Sequence, residues 1–331
     1  MVQKEPVFTL DCKEQIFDIA FHPSMHQIAA CSIDGSVANW NYSDAENPKK
    51  IFDLQIHSAS CRSLDFSPDG KSLMTVSKDR SLQLIDMGTA KVRLRKLNAH
   101  SEAINIVKAV SPDLFATGDD SGSIKIWDVR QRKAVRKYCE NTDYIADMCV
   151  VNNTLFAAGA DGCLSVFDLD KNKPVGVSAT QDDELLSIQV LRNKVVVGTQ
   201  SGAIHLFSYG QWGDCTDRFL GHPESVSSLL KTSESTLMSG SSDGLIRSFS
   251  VMPNKLQCVV ADSSDALAIE KMRMDCDSAF IATCSHDNLI RFWSNPTSND
   301  QQTGKKRKNS DESMNARVTT NGHKAFFADL D

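Results

Sequence analysis

Seven copies of one short pattern divide the chain into segments of nearly equal length. Each copy is a polar turn followed by an alternating strand that ends in a large residue, as in the segment from Ser32 to Trp40. The large residues are Trp40, Ile85, Trp127, Phe167, Phe207, Phe249 and Trp293, with spacings of 45, 42, 40, 40, 42 and 44 residues. A period in the low forties with strand-turn-strand chemistry predicts one four-stranded sheet per repeat. Because one such unit cannot bury both of its faces alone, we expect the repeats to stack into a single body.

Residues at fixed offsets before each large residue narrow the prediction. Asp or Ser stands six residues earlier in every repeat, where a side-chain acceptor can bond the backbone N–H groups of a hairpin turn. His100 and His222 each lie 27 residues before their large residue, and Gly221-His222 preserves the Gly-His signature of the WD40-repeat family. The chain resembles that family, and the resemblance implies an all-β, seven-bladed WD40 β-propeller. It also implies that His222, Ser241 and Asp243 form a network that staples blade 6.

The period also predicts the domain organisation. Blades that end near residues 40, 85, 127, 167, 207, 249 and 293 occupy residues 1–294. Residues 295–331 form a tail rich in Ser, Asn, Asp, Thr and Gln that we expect to be disordered. The run from Val7 to Leu10 is predicted to close the ring as an N-terminal strand of blade 7, which removes the exposed sheet edges of an open ring. Residues 265–274 have the composition of a short helix, but the register of blade 7 predicts a strand there.

The distribution of charge limits the classes of partner. The formal net charge is −6, from 36 basic and 42 acidic residues. Removing the six basic and five acidic residues of segment 294–331 leaves 30 basic and 37 acidic residues in the body. Nucleic-acid affinity depends largely on Lys and Arg side chains that displace counterions. The acidic body therefore predicts that any RNA contact is indirect or is made through a local patch.

The amino-terminal segment and the cysteines indicate an intracellular protein. Six charged residues lie among the first thirty, so the segment lacks the apolar stretch of a signal peptide. No apolar run reaches the roughly 18 residues of a membrane-spanning helix, and we expect no membrane partner. The ten cysteines form no Cys-x-x-Cys pair and are expected to be reduced, small core hydrophobic residues.

The sequence predicts no catalytic residue, no metal ligand and no cofactor. The segment Gly240-Ser241-Ser242-Asp243-Gly244 matches the Gly-x-Ser-x-Gly elbow of hydrolases. An elbow leads from a strand into a helix, whereas this segment leads into another strand at the regular blade position. The eight histidines are scattered, apart from His22 and His26, which flank a turn and are interpreted as a chance pair. We therefore expect a protein that is not an enzyme.

One motif suggests a specific docking role. Trp127-Asp128-Val129-Arg130 ends the third strand of its blade. Many WD40 proteins use this Trp-Asp-x-Arg pattern to dock on the adaptor of cullin-4 ubiquitin ligases, with the Arg making charge-assisted hydrogen bonds. Trp127, Asp128 and Arg130 are the candidate adaptor-docking residues. Trp-Asp is common in the family and an Arg two residues later often arises by chance, so this role is the alternative function.

Loops and the tail supply further candidates. Four residues beside the hairpin turns are expected on the narrow rim, either as interaction residues or as ordinary exposed polar residues: Arg62, Lys78, Tyr144 and His286. In the tail, the basic run Lys305, Lys306, Arg307 and Lys308 is a candidate nuclear import signal or a solvated charge cluster. Phe326, Phe327 and Leu330 form a candidate linear motif for a partner or for the propeller's own surface.

Several stretches lie outside the general WD40 pattern. They include Cys61-Arg62-Ser63-Leu64, Tyr144-Ile145-Ala146-Asp147-Met148 and the terminal Phe-Phe-Ala-Asp-Leu. These stretches resemble the subfamily of WD repeat-containing protein 55 and its plant and fungal relatives. The resemblance implies a non-enzymatic nucleolar scaffold for ribosomal RNA processing and large-subunit production, with pre-ribosomal assembly factors as partners. We expect a monomeric propeller in the nucleus and nucleolus, with a cytoplasmic share left open, and Arg130 suits the alternative role as a cullin-4 substrate receptor.

Overall fold

The computed structural model describes residues 2–263 and 267–296, and these contain 28 β-strands. Backbone hydrogen bonds join the strands into seven sheets of four strands each. Six sheets use four consecutive strands, and the seventh combines the first strand of the chain with the last three. The predicted all-β, seven-bladed propeller is confirmed. The predicted disorder of the tail falls on residues that, from 297 to 331, lie outside the described part of the chain.

The first three consecutive sheets are blades 1 to 3. Blade 1 contains β2 (Ile16–Phe21), β3 (Gln27–Ser32), β4 (Ser36–Asn41) and β5 (Lys49–Gln55). Blade 2 contains β6 (Cys61–Phe66), β7 (Ser72–Ser77), β8 (Leu82–Asp86) and β9 (Lys91–Lys96). Blade 3 contains β10 (Ile104–Ala109), β11 (Leu114–Asp119), β12 (Ile124–Asp128) and β13 (Lys133–Tyr138).

Blades 4 to 6 repeat the same order. Blade 4 contains β14 (Ile145–Val151), β15 (Thr154–Gly159), β16 (Leu164–Asp168) and β17 (Pro174–Val177). Blade 5 contains β18 (Leu185–Leu191), β19 (Lys194–Thr199), β20 (Ala203–Ser208) and β21 (Asp217–Leu220). Blade 6 contains β22 (Val226–Lys231), β23 (Thr236–Ser241), β24 (Leu245–Ser250) and β25 (Lys255–Asp262).

Blade 7 closes the ring with both ends of the propeller. It contains β26 (Ile269–Met274), β27 (Phe280–Ser285), β28 (Leu289–Ser294) and, as its outer strand, β1 (Phe8–Asp11). Phe8 pairs with Phe292 across the sheet, and their rings stack with centroids 4.1 Å apart. The N-terminal closing strand is confirmed, one residue later than predicted. The strand predicted within residues 265–274 is confirmed for Ile269–Met274, and residues 264–266 lie outside the described part.

The first strands of the blades surround the central axis. Each contacts the first strands of both neighbouring blades, in the closed order β2, β6, β10, β14, β18, β22, β26 and back to β2. Every one of them has a register shift after its first residue, as between Ile16 and Asp18 in β2. Apolar side chains on the faces of the blades fill seven clusters, of which the one between blades 7 and 1 includes Leu10 and Phe292. Stacking of adjacent blades thus buries the apolar faces that a single blade would expose to solvent.

The hairpin turns explain the Asp that precedes the large residue by six positions in five of the seven blades. Asp34 Oδ1 accepts a hydrogen bond from Ser36 N at 2.9 Å, and the equivalent bonds are made by Asp79, Asp161, Asp243 and Asp287. The glycine that follows Asp34 has a φ of +87°, a conformation that residues with a Cβ rarely adopt. Local side-chain bonding and Gly35 together fix the tight turn that the sequence predicts.

Two further expectations concern the cysteines and the hydrolase motif. Four cysteines are buried, four are half-buried and two, Cys139 and Cys258, are exposed, so the prediction that all are core residues is wrong for these last two.

Ser241 ends β23 and Gly244 has a φ of +78° in a hairpin that leads into β24. The predicted strand-to-strand turn is confirmed in place of a nucleophile elbow. Among the described residues, no helix is long and apolar enough to span a membrane.

Candidate functional site

A chain of buried hydrogen bonds fixes Trp127 at the end of β12. Trp127 Nε1 donates to Thr117 Oγ1 at 2.8 Å, and His100 Nε2 lies 2.7 Å from the same hydroxyl. His100 Nδ1 lies 2.7 Å from the carboxylate of Asp119. Because a carboxylate only accepts, Nδ1 carries the proton and Nε2 accepts from Thr117. Burial lowers the pKa of His100 despite the opposing effect of Asp119, so the imidazole is neutral at pH 7.

Arg130 is the one accessible side chain of the predicted docking residues. Its exposed fraction is 65%, whereas that of the Asp128 side chain is 3%, and Trp127 is buried. Arg130 Nε and Nη2 donate to the two carboxylate oxygens of Asp128 at 3.1 and 3.0 Å. This bidentate pair holds the pKa of Asp128 far below its usual range. The structure therefore presents the Arg130 guanidinium in a fixed orientation, with Trp127 and Asp128 as its support rather than as contact residues.

The network predicted for blade 6 differs in the structure. His222 Nε2 lies 2.6 Å from Ser239 Oγ, not from Ser241, whose hydroxyl donates to the carbonyl oxygen of Glu224. Asp243 is held by Arg247 Nη1 at 3.0 Å. The partner of His222 lies ten residues before the large residue of its blade, as do Thr75, the partner of His57 in blade 2, and Thr117, the partner of His100 in blade 3. At the same position in blade 7, the Thr283 hydroxyl accepts from Trp293 Nε1. That recurring hydroxyl was the sequence signal for the true network.

The four rim candidates do not form one site. Arg62 Nη1 donates to Asp120 in the hairpin of blade 3 at 2.9 Å, and the Tyr144 hydroxyl donates to Glu184 of blade 5 at 3.1 Å. His286 Nε2 lies 2.9 Å from Glu270 and its Nδ1 2.9 Å from Gln15 of blade 1. Lys78 is exposed. Arg62, Tyr144 and His286 thus link adjacent blades, while Lys78 is presented to solvent.

Polar side chains on the inner strands bond from one blade to the next. Four of them accept a hydrogen bond from a backbone N–H of the next blade: Asp18 from Leu64 at 3.4 Å, Ser63 from Val107 at 3.3 Å, Asp147 from Ile188 at 3.1 Å and Ser228 from Met272 at 2.9 Å. The fifth, Ser187, donates to the carbonyl oxygen of Val226 at 2.8 Å. Each stands two residues after the start of its strand, directly after the register shift. The sequence analysis missed these residues, although this repeated position could have indicated them. They stiffen the ring around its axis.

Two cations of the inner strands are paired with carboxylates of neighbouring blades. Arg273 Nη2 lies 3.3 Å from Asp18 Oδ1, and Lys108 Nζ lies 3.3 Å from Asp65 Oδ2. Asp65 raises the pKa of Lys108 against the opposing effect of burial. Burial alone would lower the pKa of Arg273. The negative charges of Asp18, Asp147 and Asp65 outweigh this effect and raise the pKa. The positive charges of Lys108 and Arg273 are therefore largely compensated by these carboxylates.

Within residues 2–263 and 267–296, one group of donor atoms could hold a metal ion. His26, Cys276 and Asp277 each place one ligand atom within 4.8 Å of the others, in loops of blades 1 and 7. Burial and the carboxylates of Asp277 and Asp275 raise the pKa of the Cys276 thiol, which disfavours the thiolate that binds metals. His22 does not belong to the group, because its Nε2 bonds the Gly70 carbonyl at 3.0 Å. The interpretation of His22 and His26 as a chance pair rather than a metal site stays a prediction.

The candidates of the tail lie outside the described residues. These are the basic run Lys305, Lys306, Arg307 and Lys308 and the linear motif of Phe326, Phe327 and Leu330. Their roles in nuclear import and partner binding stay predictions.

Comparison with known proteins decides the family. The WDR55 family model matches residues 8–295, which include every strand of the seven blades. The chain belongs to the WDR55 family. The resemblance recognised in the sequence is thereby confirmed, and the chain shares the WD-repeat scaffold architecture of that family.

Relatives from fungi, plants and animals align along most of the WDR55-type propeller. WD repeat-containing protein JIP5 of Coprinopsis cinerea is 35% identical over 293 residues, which cover 84% of this chain and 71% of the relative. WD repeat-containing protein 55 of Arabidopsis thaliana is 34% identical over 289 residues, covering 86% and 81%. WD repeat-containing protein 55 of Homo sapiens is 32% identical over 280 residues, covering 83% and 73%.

Proposed function

We propose that this chain is a non-enzymatic protein-interaction scaffold in nucleolar ribosome biogenesis, where it supports ribosomal RNA processing for the large subunit. Membership of the WDR55 family carries the proposal, because the resemblance of the sequence to that subfamily implies this process. Pre-ribosomal assembly factors are the proposed partners. A monomeric propeller is their platform, with rim residues such as Lys78 available for contact.

The contacts of the chemically competent side chains support a scaffold rather than an enzyme. Ser241 is fully buried and its hydroxyl donates to a backbone carbonyl, so it is not held as a nucleophile. The imidazoles of His100 and His222 are buried and bonded to hydroxyl groups of their own blades. A general base must reach the proton that it abstracts, and these side chains are enclosed by the blades instead.

Depletion of the protein tests the proposed process. Precursor and mature ribosomal RNAs are compared on blots before and after depletion, with rescue by the wild-type chain as the control. We expect precursors of the large-subunit RNA to accumulate relative to those of the small subunit. Unchanged precursor ratios would remove the proposal.

The proposed location is the nucleus and nucleolus, and the tail provides the test. Neutralising Lys305, Lys306, Arg307 and Lys308 with Gln removes the basic run while leaving the seven blades intact. We expect the fluorescently tagged variant to shift to the cytoplasm. Nuclear accumulation equal to that of the wild type would show that import does not depend on this run.

A second candidate function is supported by the geometry of Arg130. As a substrate receptor of a cullin-4 ligase, the chain would dock on the adaptor through this exposed guanidinium. The bidentate contact with Asp128 fixes the orientation of Arg130 before binding, which reduces the entropy lost on docking. Asp128 uses the Nε N–H and one N–H of Nη2, so the adaptor would bond through Nη1 and the second N–H of Nη2.

Substitution of two basic residues that each follow the third strand of a blade tests the docking role. Lys171 pairs with Asp168 at the end of β16 at 2.9 Å and is 70% exposed, so Lys171→Ala is a matched control for Arg130→Ala. Recovery of the adaptor by co-purification should drop at least tenfold for Arg130→Ala and stay unchanged for Lys171→Ala. Equal recovery with both variants would eliminate the ligase role and leave the scaffold proposal untouched.

A further inference from the structure

The outer strands of blades 2 and 3 concentrate positive charge in an otherwise acidic body. β9 reads Lys-Val-Arg-Leu-Arg-Lys, and the segment 130–137 that leads into β13 reads Arg-Gln-Arg-Lys-Ala-Val-Arg-Lys. Neither segment contains an acidic residue. Together they hold nine basic side chains: Lys91, Arg93, Arg95, Lys96, Arg130, Arg132, Lys133, Arg136 and Lys137.

The fold brings the two segments together although they are distant in sequence. Leu94 of β9 packs in the same apolar cluster as Trp127 and Ala134 of blade 3. Lys137 lies directly opposite Lys125 in the register of β12 and β13. Burial is the largest cause that lowers the pKa of Lys125, and the charges of Lys137 and, more weakly, Lys96 of blade 2 lower it further. Cations of both blades therefore approach one another along the groove between the blades.

Most of these cations form no close ion pair with a described carboxylate, although Asp86 lies opposite Lys91 and the charge of Arg93 helps to lower the pKa of Asp86. Arg130 is bound to Asp128, and Arg95 Nη2 donates to the carbonyl oxygen of Ile56 at 2.9 Å. The remaining exposed cations have no ion pair with a described carboxylate and form what we call the basic patch: Lys91, Arg93, Lys96, Arg132, Lys133 and Lys137. Clustered like charges raise the local potential and attract an anionic partner.

We propose that the basic patch binds the phosphate backbone of RNA. β9 rises about 3.3 Å per residue, and a register shift at Arg93 interrupts its regular alternation. The cations from Lys91 to Lys96 therefore follow one another along the strand and present a line of charges to an extended polyanion. Two such rows on adjacent blades give the local patch that the acidic body requires for direct RNA contact.

The surroundings of the patch favour phosphate over an acidic protein segment. Protein interfaces depend on buried aromatic or aliphatic anchors at their centre. Leu97 is the exposed large apolar residue next to the patch, and Tyr138 on β13 is buried. Without exposed aromatic side chains to stack on bases, the patch has no means to read sequence or to select single strands. We therefore expect binding through charge alone, with similar affinity for different sequences.

The inference is independent of the proposed scaffold role, since binding to RNA in solution does not require a function in ribosome maturation. Fluorescence anisotropy of the full chain with a labelled 20-base-pair RNA duplex, from 50 to 200 mM salt, measures it. The patch variant replaces Arg93, Lys96, Lys133 and Lys137 with Gln. The control variant replaces four exposed lysines of other blades with Gln and has the same net charge: Lys49, Lys171, Lys173 and Lys255.

The patch variant should bind more than tenfold more weakly at 100 mM salt. Its slope of log affinity against log salt should be shallower by about 4, roughly one unit per lost phosphate contact. A charge-preserving variant combines Lys96→Arg, Lys133→Arg and Lys137→Arg and should bind RNA like the wild type. A thermal melt of each variant shows whether the fold is kept. A further variant neutralises the basic run of the tail, Lys305 to Lys308, with Gln.

Three outcomes would overturn the inference. The first is equal binding by the patch and control variants. The second is loss of binding only when the basic run of the tail is neutralised. The third is tighter binding of the wild type to a labelled polyglutamate peptide of 20 residues than to the RNA duplex, which would identify an acidic protein segment as the partner.

Discussion

The staple of blade 3 gives the sharpest prediction for stability. His100→Ala removes two buried hydrogen bonds, one to the Thr117 hydroxyl and one to the Asp119 carboxylate. A neutral bond contributes about 1 kcal/mol and a bond to a charged group about 1.5–3 kcal/mol. With the cavity that truncation leaves, we expect the free energy of unfolding to fall by about 3–5 kcal/mol.

Blade 6 offers a matched comparison for this estimate. His222 occupies the same loop position and bonds Ser239 through Nε2, but its Nδ1 has no hydrogen-bond partner among the described residues. His222→Ala therefore creates a similar cavity without breaking a carboxylate bond. We expect its loss of stability to be smaller by about 1.5–3 kcal/mol, the contribution of Asp119.

Urea unfolding of the full chain at pH 7.5, followed by tryptophan fluorescence, measures both variants. Adding Trp127→Phe to His100→Ala completes a double-mutant cycle through the shared Thr117 hydroxyl, and a coupling energy of at least about 0.5 kcal/mol is expected. Equal losses for His100→Ala and His222→Ala would refute the reasoning, because they would mean that the Asp119 bond contributes nothing.

Three further predictions concern pH, ring closure and a turn. Burial lowers the pKa of His222 to about 4, so the unfolded chain binds more protons below its ordinary pKa of about 6.5. The neutral His222 side chain therefore contributes stability that is fully present above pH 6.5 and is lost as the pH falls toward 4. The urea midpoints at pH 7.5 and pH 5 should differ less in His222→Gln than in the wild type. Leu10 is 3% exposed and Val7 is 51% exposed. Leu10→Ala should therefore cost about 2–4 kcal/mol in thermal unfolding and Val7→Ala almost nothing, and equal melting temperatures would contradict the role of β1. Gly35→Ala places a Cβ 2.6 Å from two carbonyl oxygens, whereas Gly210→Ala meets nothing within 4 Å at a similar φ. The first should be less stable by more than about 1 kcal/mol, and equal midpoints would show that the loop relaxes freely.

Regular features of the fold could be predicted because they repeat. Seven similar turns predicted seven blades, and in the five turns that have Asp its carboxylate makes the expected bond to the backbone. The exact ends of strands could not be predicted in the same way. The run from Val7 to Leu10 is displaced to Phe8–Asp11 because its register is set by pairing with β28, far away in the sequence.

The site was harder to predict because its contacts cross between strands and blades. His222 bonds Ser239 rather than Ser241, since the strand geometry brings the earlier hydroxyl beneath the imidazole. Whole-body charge counting concealed the basic patch, because its two segments become neighbours only when blades 2 and 3 stack. Likewise the motif that includes Arg130 predicted a contact, but not that Asp128 would hold the guanidinium in place.

The pairing of β1 with β28 has a consequence for synthesis of the chain. Phe8 leaves the ribosome long before its partner Phe292. At roughly 5–20 residues per second, the first strand waits about 15–60 s for the last. An unpaired strand is a template for association with other chains. A ribosome that stalls before residue 289 therefore releases a product with open edges, and its fate depends on chaperones rather than on its own stability.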